Sequence, residues 1–124
     1  MVQFTLEANP GANLIRGYSD TEIRVGTTTV TRSCIVTAQR LITDWPPATF
    51  ADLALADLEA IFALGPEVVL LGTGPLQRFP AARLRGAFAA RRVGLEVMDL
   101  GAACRTFNVL IQEERRAAAA LFLS

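Results

Sequence analysis

Two rhythms of apolar and polar residues divide the chain near its middle. From Leu14 to Ile42 the run is rich in Thr, Val and Ile, and Gly17, Ser19-Asp20 and Gly26 break it. Ile23 and Val25, then Val30, Cys34 and Val36, recur at a spacing of two, as in strands with one buried face. The pattern predicts strands over 14–17, 22–25, 28–32 and 34–38, with Gly26-Thr27 turning one into the next. Asp44-Trp45-Pro46-Pro47 ends this half, because two consecutive prolines suit neither a helix interior nor a central strand.

Beyond Thr49 the period lengthens. Phe50, Leu53, Leu58, Ile61, Phe62 and Leu64 recur at helical spacing, so a helix over 50–64 is expected, capped by Thr49 and stopped by Gly65-Pro66. Residues 67–72, Glu-Val-Val-Leu-Leu-Gly, read as a strand buried on both faces. A second helix is expected over 80–93, with Leu84 and Phe88 inward, Arg83, Arg91 and Arg92 outward, and Gly94 ending it. Leu95–Met98 is a second buried strand, and a third helix begins at Gly101. The segment 115–123 supports two readings: four consecutive alanines favour helix, and the apolar run ending in Leu-Phe-Leu suits a buried strand. Strand–helix–strand–helix order implies parallel pairing with right-handed crossovers. The expected fold is a single α/β domain over residues 1–124, with an antiparallel β layer from its N-terminal half.

Composition narrows the function. At 124 residues, 52% hydrophobic and 19% charged, the chain suits one compact globule. Twelve basic and twelve acidic residues cancel, so no broad positive field awaits a nucleic acid, and little repulsion opposes a homo-oligomer. Every basic residue is arginine; the chain has neither lysine nor histidine. That removes imidazole-activated nucleophiles, His-ligated metals, Schiff bases and the phosphate-binding lysine of P-loops. Arginine stays protonated and binds anions without shuttling protons. No cofactor and no metal are expected. The Ala-, Arg- and Gly-rich, lysine-free usage suggests a GC-rich bacterial genome. The N-terminal MVQFTLEANPGAN lacks a basic start and a long apolar core, and no apolar run reaches membrane-spanning length. A cytoplasmic protein with reduced thiols and no membrane insertion is the expectation.

Several residues are candidates for chemistry. Gly72, Thr73 and Gly74 follow a buried strand, where open α/β sheets collect ligands, and glycines there let a backbone approach an anion. The dinucleotide fingerprint is incomplete, since Gln77 occupies its third glycine position, and a plain tight turn explains the glycines equally. Arg78 and Arg83–Arg85 flank the next helix as solvated surface or as an anion pocket. Asp99, after the second buried strand, is an acid–base group, a contact or a helix cap. In GAACRTFNVL (101–110), Cys104, Phe107 and Ile111 share one helix face, and Arg105, Asn108 and Gln112 share a neighbouring stripe. Cys104 reads as core filler more than as a nucleophile. Arg105, Thr106 and Asn108 are ligand-binding candidates in the first turns of a helix, or its wet face. Trp45 is a lid over the core or a contact residue.

Taken together, VVLLGTGPLQRFP, GLEVMDLGAACRTFNVL and QEERRAAAALFL resemble the family of mitochondrial complex I assembly factor 3, over roughly residues 20–122. The resemblance implies a three-layer α/β fold with a mixed central sheet and a cleft, and it implies a strand at 115–122. Members of that family often carry glycine where this chain has Glu114. The eukaryotic members look like non-enzymatic assembly factors for the respiratory NADH dehydrogenase, and no catalytic residues come with the resemblance. The expected function is a binding or assembly module that engages a protein partner. The alternative is a binder of a small anionic metabolite or nucleotide, using a cleft near residues 72–75 and 105–108. An enzyme using Asp99 or Cys104 is a third reading.

Overall fold

A computed structural model describes residues 11–124. Residues 1–10, most of the stretch read above for a leader, lie outside the described residues. Strands β1 (Ile15–Tyr18), β2 (Ile23–Val25) and β3 (Thr28–Val30) form an antiparallel sheet in sequence order. Strands β4 (Cys34–Thr37), β5 (Leu41–Ile42), β6 (Val68–Thr73), β7 (Gly94–Met98) and β8 (Ala117–Phe122) form a second sheet, in the order β5-β4-β8-β6-β7. β6 runs parallel to β7 and β8, whereas β4 runs antiparallel to β5 and β8. The sheet is mixed, as expected.

The strand reading of the C-terminal segment is the observed one. β8 is the centre of the five-stranded sheet, and its side chains alternate between two cores. Ala117, Ala119 and Leu121 face a cluster with Leu70, Phe107 and Ile111, which also takes Ile23, Val25 and Val30 of the small sheet. Ala118, Ala120 and Phe122 face Trp45, Leu58, Ile61, Leu84 and Phe88. Burial on both faces outweighs the helical propensity of four alanines, because propensity differences are only tenths of a kcal/mol per residue. The turn into β8 passes through Glu114 at φ 61, a left-handed conformation in which glycine has no steric cost. That explains why glycine suits this position.

The expected helix over 50–64 is not continuous. Residues Phe50–Asp52 and Leu55–Asp57 are single 3₁₀ turns, and only Leu58–Phe62 (α1) is α-helical. Two aspartates account for the break. Asp52 Oδ2 accepts from the Thr49 N–H and hydroxyl, and Asp57 Oδ2 accepts from the Ala54 N–H. Each carboxylate captures a backbone donor locally, and Leu53 between them is extended, with ψ 122. The second helix, α2 (Ala82–Ala90), is shorter than expected, because Arg92 turns the chain at φ 57 before Gly94 opens β7. The third, α3 (Leu100–Gln112), buries Leu100, Ala103, Cys104, Phe107 and Ile111 on the predicted stripe.

Chain order explains the layering. The step from β6 to β7 moves outward across the sheet, and the step from β7 to β8 moves back past β6. Crossovers of one hand must then place their helices on opposite faces. Accordingly α2 lies with the Trp45 core, and α3 lies with the small antiparallel sheet.

Candidate functional site

The loops after β6 and β7 leave for opposite faces of the sheet. A crevice therefore opens between them, at the place where α/β sheets bind ligands. The structure has a cleft of about 310 Å³ there, lined by Gly74 and Pro75 from the first loop, Asp99 from the second, and Leu100, Gly101 and Arg105 from α3. Tyr18 at the end of β1, Ser19 and Asp20 just after it, and Leu123 after β8 complete it. The 72–75 turn and the first turns of α3 thus share one concave surface, but not through all of the expected residues.

Gly72 serves packing. A side-chain carbon there would stand 2.9 Å from the Ala103 Cβ and 3.0 Å from Leu121 Cδ2, so glycine lets α3 sit directly on β6. Gly74 serves the turn: its φ is 92, and the backbone of Ser124 passes 3.2 Å from where a Cβ would be. Its carbonyl accepts from Leu100 N at 2.8 Å, tying the two loops together. Thr73, fully buried, organises the loop that follows it. Its hydroxyl accepts from Arg78 N at 2.9 Å and donates to the Leu76 carbonyl at 2.7 Å.

The polar residues of α3 divide in the same way. Asp99 is the helix cap, its Oδ1 accepting from Ala102 N at 2.9 Å. Asn108 clamps β1: its Oδ1 accepts from Ile15 N and its Nδ2 donates to Ile15 O, both at 2.8 Å. β1 is an edge strand, so this amide stands in for one rung of a neighbouring strand. Arg105 is exposed and donates from Nη1 to the Tyr18 hydroxyl at 2.5 Å, across the cleft mouth. Thr106 is half-buried and does not line the cleft. Arg78, Arg83 and Arg85 are exposed outside the cleft, so they and the 72–74 turn do not converge.

Cys34 and Cys104 sit in the core with their thiols pushed up to about 12. Burial is the cause at Cys34. At Cys104 burial acts first and Cys34 adds to it, while Arg105 opposes both. Such thiols hold their protons at neutral pH and are poor nucleophiles. Trp45, a contact candidate by sequence, is 1% exposed; it donates from Nε1 to the Asp57 carbonyl and stacks at 5.2 Å on Phe122. It belongs to the core. Among the described residues no cluster of three or more His, Cys, Asp or Glu could hold a metal ion. Nor is any helix there long and apolar enough to cross a membrane.

Sequence reasoning missed Tyr18, Ser19, Asp20 and Leu123. Tyr18 and Arg105 lie 87 positions apart, and no periodicity links them. One faint signal was Gly101, where a Cβ would meet the Tyr18 hydroxyl at 2.9 Å.

Comparison with known proteins places this geometry in a set of relatives. The family described as "Protein of unknown function (DUF498/DUF598)" matches residues 15–122. The NADH dehydrogenase [ubiquinone] 1 alpha subcomplex assembly factor 3 of Danio rerio is 33% identical over 93% of this chain, which spans 66% of that relative's length. An NMR structure from Xanthomonas campestris superimposes with TM-score 0.82 at 34% identity, covering 98% of this chain and 92% of that one. A crystal structure from Bordetella parapertussis does so with TM-score 0.84 at 32% identity, covering 90% and 96%. The layered α/β fold is common to them.

Proposed function

This chain belongs to the DUF498/DUF598 family, and from that membership we propose that it is a non-enzymatic, assembly-factor-like module acting through contact with a protein partner. The observation that carries the reading is the 33% identity with an assembly factor, which extends over nearly the whole chain. The chemistry of the cleft agrees with it. The groups that would perform catalysis are committed to architecture: Asp99 to a cap, Thr73 to a loop, Asn108 to a strand edge, and both thiols to the core. The reading as a small-anion binder rests on the convergence of Gly74 with Arg105 in one cleft. Asp20 and Asp99 line the same cleft, so Arg105 is outnumbered by carboxylates, and an anion gains little there.

The test is genetic and biochemical together. Gentle affinity capture of the tagged chain from its native host should recover a subunit or maturation partner of a membrane-bound respiratory complex. Deletion of the gene should lower the amount of that assembled complex on native gels. A deletion strain with normal complex levels, together with no reproducible partner, would sink the proposal.

A further inference from the structure

Charge is segregated along this neutral chain. Residues 68–95 contain Arg78, Arg83, Arg85, Arg91 and Arg92 and not one acidic residue, so the rest of the chain carries the balancing negative excess. Arg91 is engaged, pairing with Glu59 at 2.9 Å over the Phe62 ring. Arg78, Arg83 and Arg85 are exposed and form no ion pair among the described residues.

The same segment displays the two most exposed large apolar side chains among the described residues. Leu76 is 67% and Phe79 68% exposed, on the loop between β6 and α2. This loop is held, not slack. Thr73 ties it at Leu76 and Arg78, Gln77 donates from Nε2 to the Val97 carbonyl at 2.9 Å, and Pro75 and Pro80 bracket it. The side chains of Thr73 and Gln77 are thus spent on fixing the loop, while those of Leu76, Arg78 and Phe79 are left exposed to water. Exposed apolar groups on an ordered loop, with unpaired Arg78 in that loop and Arg83 and Arg85 flanking buried Leu84 in the helical turn that follows, are the pattern of a contact surface.

We propose that the 75–79 loop and the first turn of α2 form a docking surface for an anionic lipid bilayer. Leu76 and Phe79 enter the boundary between headgroups and acyl chains, and Arg78, Arg83 and Arg85 pair with lipid phosphates. Charge complementarity selects the anionic surface. The loop presents a projecting knuckle, and a bilayer accepts one without a preformed groove. Attachment of this kind is peripheral and needs no spanning segment. It is independent of the assembly role proposed above.

The experiment is vesicle co-sedimentation of the full chain. Wild type should pellet with vesicles of equal parts phosphatidylglycerol and phosphatidylcholine, and not with pure phosphatidylcholine. Each arginine near an anionic surface contributes about fivefold in partitioning, so Arg83→Ser with Arg85→Ser should weaken binding roughly 25-fold. Raised salt should weaken wild type in the same direction. Leu76→Ser with Phe79→Ser should lose at least about tenfold, since both side chains leave the apolar phase. All four positions are exposed, and an unchanged thermal midpoint confirms that each variant folds. Soluble glycerophosphate should not compete at vesicle-equivalent phosphate. Absence of pelleting by wild type, or variants that pellet equally, overturns the proposal. So does binding to polyglutamate without binding to vesicles, which assigns the patch to an acidic protein. A dimer that Leu76→Ser with Phe79→Ser dissociates overturns it in favour of a second copy.

Discussion

Replacing Asn108 by alanine tests whether its amide is architecture or ligand-binding equipment. The side chain makes two 2.8 Å bonds to Ile15, one in each direction, and Ile15 is only 5% exposed. Removing the amide strands a backbone N–H and a C=O at the edge of β1. A hydrogen bond contributes about 0.5–1.5 kcal/mol net, and a buried group left without a partner costs about 1–3 kcal/mol. Asn108 is half-buried, so water can reach part of the vacated space and relieve one of the two groups. The expected loss is therefore roughly 2–3 kcal/mol, smaller than two full penalties. For a chain of this size that is a fall of about 10 °C in Tm. Urea unfolding followed by circular dichroism should show a lower midpoint with an unchanged slope, because the exposed surface is the same. Asn108→Asp should be no milder, since a carboxylate keeps the acceptor for Ile15 N but opposes the Ile15 carbonyl. A loss below about 0.5 kcal/mol for Asn108→Ala, within the range of an ordinary surface substitution, refutes the clamp.

Three other substitutions probe the same architecture. Gly72→Ala should cost about 1–3 kcal/mol through overpacking against Ala103, and Ala103→Gly in the same chain should recover part of it; additive losses in a double-mutant cycle would count against direct contact. Glu114→Gly should raise the urea midpoint, because a left-handed turn costs a non-glycine residue about 1–2 kcal/mol, more than the backbone entropy glycine loses; a lower midpoint would contradict this. The thiols predict an alkaline effect. Their folded-state pKa values lie above the ordinary 9.0, so above pH 9 the unfolded chain releases protons that the native chain keeps. Stability should be insensitive to these groups below pH 9 and fall between pH 9 and about 12. Cys34→Ala with Cys104→Ala should flatten that fall, and a double variant whose urea midpoint drops as far as wild type's between pH 9 and 12 would remove the effect.

Much of the fold was legible because burial writes a period into the chain. The strands around Ile23 and Val30 show alternation, and the stripe of Cys104, Phe107 and Ile111 shows the helical repeat; both follow from the one-sided core each element faces, whereas the strand at Cys34, expected to have one wet face, is buried on both. The helix expected over 50–64 fails for a reason also written locally. Asp52 and Asp57 each sit three residues after a donor they can capture, and apolar spacing carries no record of that competition. The helix-or-strand choice at Ala117–Ala120 was not decidable from its residues. It depends on β4 and β6 supplying hydrogen bonds from either side and on two layers covering both faces.

The candidate site divides along the same line. From residue types alone the chain excludes imidazole and lysine chemistry, and it places glycines and a carboxylate at the ends of its parallel strands. Which of those residues face the cleft is a tertiary matter. Gly72 and Gly74 look alike in sequence, yet one makes room for a helix and the other turns the backbone. Arg105 and Asn108 sit almost one helical turn apart on one stripe. The first reaches Tyr18 at the cleft mouth, and the second closes the edge of β1, because that strand lies across α3 and meets them at different points. Local periodicity reports which side of an element is buried, and only the packed elements decide what each polar group finds there.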